Sequence, residues 1–292
     1  MSALAGRCSS RPSRPEHGPP GPGAPRDNLP PVNAAAQDVT VELEGDIAVV
    51  TLRRPPHNLL TEPTLRAVAD AVDGLQGRVR AAVVASEGRS FCAGADFRSD
   101  EAPDPTDGGD FERRTGAFYA QAERIFASSV PTVAAVQGAA IGAGFGLALA
   151  CDIRVVGRRG WFQVNFVRLG IHPGFALSVT LPRAVGQGRA SELFLTGRRV
   201  DAEEAVHIGL AEHLAAEGEE LAAASAIARR IATGAPLAVR STRATLRRGL
   251  AEEARAAMRH ELAEQVSLAG TADAVEGVAA VLAGREPVFE GR

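Results

Sequence analysis

Two glycine-rich turns constrain the fold of this chain more than any other feature. The first spans residues 89–96 (RSFCAGAD) and follows the apolar run 81–86, and the second spans 136–146 (VQGAAIGAGFG) and follows the apolar run 133–136. Small residues let a backbone approach a ligand closely, and a helix N-terminus adds unpaired N–H donors. Either turn alone is explained by packing, but together they could direct two N–H groups at one oxygen, as an oxyanion hole does.

Further motifs follow in order along the chain. They are RPPHN at 54–58, FCAGAD at 91–96, PTVAAVQG at 131–138, CDI at 151–153, LGIHPG at 169–174 and LTGRRV at 195–200, followed by AEEAVHIGLA at 202–211. From about residue 39 to 290 this series resembles the crotonase (enoyl-CoA hydratase/isomerase) superfamily. The resemblance implies an α/β fold: a crotonase-like core of stacked ββα units arranged as a spiral, with a helical C-terminal region.

Composition and periodicity divide the chain into three segments. Residues 1–38 form a Pro/Gly/Arg-rich tail with eight of the 18 prolines, which we expect to be disordered. Residues 39–200 would form the ββα core, beginning with strands at 39–44 and 47–52 that are joined by a hairpin at Gly45 and Asp46. Residues 201–292 are almost entirely helical in pattern, and the resemblance implies that they form a trimerisation region.

The resemblance also implies an activity. Members of the superfamily bind acyl-CoA thioesters, usually as homotrimers or homohexamers, and need no cofactor beyond the CoA of the substrate. By position, the oxyanion-hole N–H groups would be those of Ala95 and Ala143. They would polarise the thioester carbonyl of an acyl-CoA or other pantetheinyl substrate and stabilise an enolate.

The carboxylates that a hydratase needs are missing from the corresponding positions. The two hydratase glutamates correspond to Gly146 and Phe166, and the aspartate of dienoyl-CoA isomerases and aryl-CoA dehalogenases corresponds to a position near Gly174. Hydration needs a carboxylate to activate water and an acid to protonate the α-carbon, which glycine and phenylalanine cannot provide. This argues against an ordinary hydratase and favours a lyase or isomerase.

Three interpretations remain open. In the first, an enolate-forming enzyme uses His172, a substrate group or water as its acid or base; decarboxylation fits an acid-poor site because loss of carbon dioxide forms the enolate without a protein base. Isomerisation and retro-Claisen cleavage are also compatible. In the second, a hydratase uses a displaced acid such as Glu112 or Glu123. In the third, the chain is a non-catalytic relative that binds acyl-CoA.

Residues near these motifs are candidates for substrate binding: Arg53, Arg54, Asn58, Ala93, Asp96, Phe97, Arg98, Tyr119, Gly142 and Phe166. Arginine must bind any CoA phosphates, because all 32 basic residues are arginine. Arg285 is a further candidate through a neighbouring subunit. Cys92 is interpreted as a small buried residue rather than a nucleophile.

Composition excludes several other functions. The absence of lysine rules out Schiff-base chemistry and a P-loop lysine. A net charge of −3 gives no strong attraction to nucleic acid, and the histidine and cysteine spacings predict no metal site. No apolar run approaches the ~20 residues that span a bilayer. We therefore expect a cytoplasmic protein that binds neither nucleic acid nor membranes.

Overall fold

Short runs of valine and alanine form the main sheet. The computed structural model describes residues 38–96, 103 and 107–292. Its six-stranded sheet has the order β1-β2-β3-β5-β7-β10. The strands are β1 (Val39–Glu44), β2 (Ile47–Leu52), β3 (Ala81–Ser86), β5 (Thr132–Val136), β7 (Ile153–Gly157) and β10 (His213–Ala215). β1 and β2 are antiparallel and pair Val39 with Leu52, which confirms the predicted hairpin, whereas the other neighbours are parallel.

A second, four-stranded sheet carries the two glycine-rich turns. Its order is β4-β6-β8-β9, and its strands are β4 (Ser90–Cys92), β6 (Ala139–Ile141), β8 (Trp161–Gln163) and β9 (Arg199–Asp201). β4 and β6 are parallel neighbours, with Cys92 beside Ala140. The two turns that leave the ends of these strands are therefore adjacent in space.

The helices lie around and after these sheets. They are α1 (Glu62–Gly74), α2 (Gly108–Ala127), α3 (Ala143–Ala150), α4 (Leu177–Val185), α5 (Gln187–Thr196), α6 (Ala202–His207), α7 (Glu220–Ala232), α8 (Pro236–Leu246), α9 (Leu250–Leu268) and α10 (Ala272–Ala283). A 3-10 helix covers Phe166–Leu169. All eight residues of α3 are buried, which explains why its sequence is apolar on every side.

The region after residue 200 is not exclusively helical. β10 pairs with β7 at the edge of the main sheet, and α7 packs its buried alanines, including Ala224 and Ala228, against the sheet face that contains Val83 and Val133. The predicted trimerisation role of this region stays a prediction. Among the described helices, none is long and apolar enough by itself to cross a bilayer; α9 and α10 meet that criterion only as a pair bent by 97°.

Candidate active site

The first turn places the Ala95 N–H on the side of the chain away from Leu60. The Leu60 N–H donates to the Gly94 carbonyl and the Asp96 N–H donates to the Leu60 carbonyl, both at 2.9 Å, which forms a parallel bridge between Leu60 and Ala95. In a parallel ladder, the N–H groups of the residues on either side of the bridge alternate in direction. The Ala95 N–H therefore points away from Leu60, and Ala95 lines a large cavity.

The second turn leaves the Ala143 N–H unpaired by the helix that it begins. Gly142 has φ +51°, α3 begins at Ala143, and no side chain caps this end of the helix. The first intrahelical bond of α3 runs from the Gly146 N–H to the Gly142 carbonyl at 3.0 Å. The N–H groups of the first turn of an α-helix have no intrahelical acceptor, and Ala143 lines the same cavity as Ala95.

Two glycines allow these turns to pack against each other. A Cβ on Gly144 would lie 2.1 Å from the Cys92 carbonyl oxygen, and one on Gly138 would lie 1.9 Å from the Arg89 carbonyl oxygen. Any side chain at either position would push the two backbones apart. The predicted oxyanion pair is thus compatible with the geometry, since both alanines end tightly packed turns at one cavity wall.

The cavity has a volume of about 820 Å³ and a largely apolar wall. Aromatic and aliphatic side chains from α2, the 3-10 helix, the 170–175 turn and α10 line it, among them Phe111, Phe118, Phe166, Ile171, Phe175 and Val278. A volume of this size accommodates a drug-sized ligand. The prediction that Phe166 lines an apolar pocket is confirmed.

The positions of the missing family acids are filled by packing. A Cβ on Gly146 would lie 2.5 Å from Cδ1 of Phe175, whose ring is buried. A Cβ on Gly174 would lie 1.9 Å from the Tyr119 hydroxyl oxygen. The ring of Phe166 lies 3.7 Å from the place of a Cβ on Gly142. The polar side-chain groups that these contacts supply are the Tyr119 hydroxyl and Nε2 of Gln265 at position 174, and Oδ1 of Asn165 beside the Phe166 ring.

The Tyr119 hydroxyl belongs to a buried hydrogen-bond chain. It donates to Oε1 of Gln265 at 2.9 Å, and Nε2 of Gln265 donates to the His172 carbonyl at 2.9 Å. Burial, together with the nearby charge of Glu261, raises the pKa of Tyr119 above its ordinary value. The phenol therefore keeps its proton at neutral pH. Tyr119 and Gln265 both line the cavity.

The carboxylates at the cavity wall are engaged by cations. In the part of the chain that the structure describes, Glu62 and Asp96 are the acids that line it. Glu62 accepts from Arg66 at 2.6 Å and Asp96 pairs with Arg54 at 3.5 Å. The proposed displaced acids lie elsewhere: Glu112 is exposed and Glu123 pairs with Arg255 at 2.9 Å. The geometry thus gives no support to the displaced-acid interpretation.

His172 does not line the cavity either, although its neighbours Ile171 and Gly174 do. Its Nδ1 lies 2.8 Å from the carbonyl oxygen of Pro173, and its ring packs edge-on against His260 with the ring centres 5.9 Å apart. The predicted acid–base role of His172 therefore has no geometric support. The turn places its backbone carbonyl, rather than its imidazole, in the Tyr119 hydrogen-bond chain.

The predicted substrate-binding residues fall into three groups. Ala93, Asp96, Tyr119, Gly142 and Phe166 line the cavity. Arg53, Arg54 and Asn58 do not line it, so the structure adds no support to their predicted role in substrate binding, and Phe97 and Arg98 lie outside the described residues.

The three residues away from the cavity have structural partners instead. Arg53 pairs with Glu87 at 2.8 Å on the surface. Arg54 donates to the Leu59 carbonyl and contacts Asp96. Asn58 is fully buried and donates to the carbonyls of Glu87 and Ser90, both at 2.7 Å, so it anchors the strand that leads into the first turn.

Other residues that line the cavity were not among the predicted site residues. Arg89 lies at its wall beside His57, with 3.5 Å between its Nη2 and the His57 Nε2. The Oδ1 of Asn165, another lining residue, lies 3.6 Å from the place of a Cβ on Gly142. Gln265, 146 residues after Tyr119, is buried near the C-terminal end of α9. Arg89 belongs to the first glycine-rich turn and Asn165 precedes Phe166, whereas nothing local marks Gln265.

Cys92 is a buried packing residue, as predicted. It is fully buried, its Sγ lies 3.8 Å from the Gly94 carbonyl oxygen, and burial raises the pKa of its thiol to about 12. Since the thiolate is the reactive form, a thiol with such a pKa is a poor nucleophile at neutral pH.

Comparisons with known proteins agree with this architecture. The family model for enoyl-CoA hydratase/isomerase matches residues 42–292. The short-chain-enoyl-CoA hydratase of Clostridium acetobutylicum is 33% identical over 217 residues, covering 73% of this chain and 82% of the relative. The probable enoyl-CoA hydratase EchA14 of Mycobacterium tuberculosis is 34% identical over 243 residues, covering 82% and 92%. The crystal structure of an enoyl-CoA hydratase/isomerase from Pseudoalteromonas atlantica superposes with a TM-score of 0.76 at 29% identity, covering 87% of this chain and 100% of that one. The chain therefore belongs to the enoyl-CoA hydratase/isomerase family and has the crotonase fold.

Proposed function

We propose that this protein is an acyl-CoA enzyme that stabilises a thioester enolate between the N–H groups of Ala95 and Ala143, and that its reaction is the decarboxylation of a malonyl-type thioester. The relatives named above are hydratases by name, which supports a CoA thioester as the substrate. The residues at the reacting positions differ from those that hydration needs, and this difference supports a reaction other than hydration.

The observation that carries the proposal is the combination of two donor turns with a cavity wall that has no carboxylate at the three positions of the family acids, Gly146, Phe166 and Gly174. The described carboxylates at the wall, Glu62 and Asp96, are paired with arginines. Phe175 occupies the space beside Gly146, and Phe166 is an apolar residue. Removing an α-proton or activating water requires a base at these positions. Decarboxylation requires none, because the electron pair left by carbon dioxide becomes the enolate.

The derived reaction uses few protein groups. The C–C bond to the carboxylate breaks, carbon dioxide leaves, and negative charge moves onto the thioester oxygen between the two N–H donors. The α-carbon then takes a proton. The apolar wall around the site favours loss of carbon dioxide, because it destabilises the charged carboxylate of the substrate relative to water but not the neutral product carbon dioxide.

The cavity volume and the guanidinium of Arg89 support CoA binding. Arg89 and His57 together present nitrogen donors at the cavity wall, and arginine binds phosphate oxygens through two parallel hydrogen bonds. We assign Arg89 as a ligand of a CoA phosphate, in place of the predicted Arg53.

Mass-spectrometric turnover of a thioester panel tests the proposal. The panel contains malonyl-type, β-keto, enoyl and aryl-CoA thioesters, with crotonyl-CoA as the hydration control. Loss of carbon dioxide from malonyl-type members without water addition to crotonyl-CoA is the expected result. Efficient hydration of crotonyl-CoA would refute the argument from Gly146 and Phe166. Micromolar binding with no product from any member would favour the non-catalytic interpretation instead.

Two variants at position 143 test the proposed oxyanion role of the Ala143 N–H. Ala143→Pro removes the donor N–H at the first helical position, where proline fits a helix, whereas Ala143→Val adds similar bulk and keeps the N–H. Loss of one oxyanion donor costs about 10²–10³ in kcat. We expect that loss in the proline variant relative to the valine variant, with both binding a saturated acyl-CoA equally well; equal turnover of the two would remove Ala143 from the oxyanion hole.

A further inference from the structure

The Tyr119 hydroxyl and the Gln265 amide are the polar side-chain groups that occupy the place of a side chain at position 174, where the third family acid would stand. The ring of Phe175 fills the space beside Gly146, and position 166 is phenylalanine. The space of a side chain at position 174 is taken by the hydroxyl of Tyr119, from α2, which lies 1.9 Å from the place of a Cβ there. The Tyr119 hydroxyl from α2 thus stands where a residue larger than Gly174 would place its side chain.

A short series of contacts connects the hydroxyl with the helix that carries Ala143. Gly146 is three residues after Ala143 in α3, so both lie on one face of that helix. Phe175 packs against Gly146, and Gly174 precedes Phe175. Tyr119, Ala95 and Ala143 all line one cavity.

Gln265 fixes the position of this hydroxyl. Its Oε1 accepts the Tyr119 hydrogen bond at 2.9 Å, and its Nε2 donates to the His172 carbonyl at 2.9 Å. The carbonyl acceptor settles which end of the carboxamide faces Tyr119, because only the NH₂ end can donate to it. The amide is itself 3% exposed, so few other orientations are available to it.

We propose that Tyr119 is the catalytic proton donor to the α-carbon of the enolate, and that Gln265 is the positioning residue that holds its hydroxyl. This assignment rests on the proposed function. The hydroxyl hydrogen rotates about the Cζ–Oη bond from Gln265 toward the cavity. A C–H bond forms at the α-carbon, the O–H bond of Tyr119 breaks, and the phenolate regains a proton from a water molecule that enters when the product leaves.

The protonation state of Tyr119 suits this role. Burial raises the pKa of the phenol, so it carries its proton before each turnover. A thioester enolate is a far stronger base than a phenolate, so the transfer is downhill even from a phenol of raised pKa. The backbone N–H of Phe175 also approaches the phenol oxygen and can hydrogen-bond the phenolate until water restores the proton.

The stereochemistry of deuteration in D₂O tests the assignment. A 2-methylmalonyl-CoA or 2-butylmalonyl-CoA substrate loses carbon dioxide to form a planar enolate, which takes up one deuteron at the α-carbon and makes it a stereocentre (C, H, D and thioester) in the product. The wild type is expected to place it on one face only. Tyr119→Phe is expected to lower kcat about 100-fold, at the lower end of general-acid effects, with KM changed less than about threefold. Its product should be deuterated on both faces, because bulk D₂O then supplies the deuteron.

Two further variants separate catalysis from folding. Gln265→Leu retains the tyrosine but not its partner, and is expected to give partial loss of facial selectivity. Thr180→Val removes a buried hydroxyl that donates to the Ala176 carbonyl at 3.0 Å outside the cavity, and is expected to keep wild-type selectivity.

The outcomes distinguish the two proposals. Carbon dioxide release with one-face deuteration by Tyr119→Phe would overturn the assignment of Tyr119 and leave the proposed function intact. No carbon dioxide release by the wild type from either substrate would overturn both.

Discussion

A methyl group added at Gly146 should destabilise the protein, although the same change in a helix normally stabilises it. In Gly146→Ala, alanine gains about 1 kcal/mol in helix propensity over glycine. The new Cβ would lie 2.5 Å from Cδ1 of Phe175 and 2.7 Å from its Cβ and Cγ. The ring cannot move away easily, because it is 1% exposed and packs against Phe118 and Phe126 at ring-centre distances of 5.9 and 6.4 Å.

Gly116 in α2 provides the matched control. A Cβ there would meet Cδ2 of Leu262 at 3.5 Å, which is ordinary contact. Gly116→Ala therefore keeps the propensity gain of about 1 kcal/mol, while Gly146→Ala has the same gain and an overpacking cost of typically 1–3 kcal/mol. Since propensity cancels, the two variants should differ by about 1–3 kcal/mol in unfolding free energy.

Urea unfolding of both variants and the wild type measures this difference. The midpoints should move in opposite directions, or Gly146→Ala should fall clearly below Gly116→Ala, with unchanged slopes. If both alanines stabilise the protein equally, the Phe175 ring can move freely, and the argument that packing excludes an acid at position 146 is refuted. In that case Gly146→Glu should also fold and become a test for restored hydration.

Three other results follow from the contacts. Asn58→Ala should cost about 3 kcal/mol of unfolding free energy, because it removes the hydrogen bonds that this fully buried side chain donates to the Glu87 and Ser90 carbonyls and accepts from the Arg54 N–H. Arg53→Ala, which breaks an exposed ion pair, should cost less than about 0.5 kcal/mol in the same urea titration. Iodoacetamide at pH 8 should not label Cys92 or Cys151 in the folded protein, because burial raises the pKa values of these thiols to about 12 and about 11. It should label both in urea, and peptide mapping would show the difference. Rapid labelling of either thiol in the folded state would contradict its burial. Burial raises the pKa of Glu261 in the folded state above its ordinary 4.5, so the unfolded chain loses this proton at a lower pH than the folded chain. The free energy of unfolding of the wild type, relative to that of Glu261→Gln, should therefore fall as pH rises above 4.5. A constant difference between the two pH–stability curves would contradict the raised pKa.

Local sequence patterns predicted the first strands and the two turns, and the family resemblance predicted the fold. The hairpin at Gly45 and Asp46 and the strands that enter the glycine-rich turns are set by short-range features: apolar runs, glycines and a helix start. These features report which backbone can bend and which face is buried. Ordered motifs in one sequence were therefore sufficient to place them. The resemblance assigned Ala95 and Ala143, which both line one cavity, and their oxyanion role stays a prediction.

The rest of the site depends on contacts between distant segments. Phe175 packs against Gly146, and Tyr119 reaches Gly174 and Gln265 across 55 and 146 residues of chain. Periodicity indicates that Tyr119 lies on a buried helix face but not which residue its hydroxyl meets. His172 illustrates the reverse case: its place in a conspicuous turn suggested chemistry, while the fold uses its backbone carbonyl and leaves its ring outside the cavity.

The absence of carboxylates at positions 146 and 174 is built into the packing and goes beyond the substitution of single residues. At position 146 the missing side chain is replaced by a buried aromatic ring that touches two other phenylalanines, and at position 174 it is replaced by a hydroxyl held by a buried amide. Reintroducing a carboxylate at either position would collide with these groups before it could contact a substrate. A cavity that had only lost its acids would retain room for them, so Phe175 and Tyr119 are the residues that distinguish a rebuilt site from an emptied one.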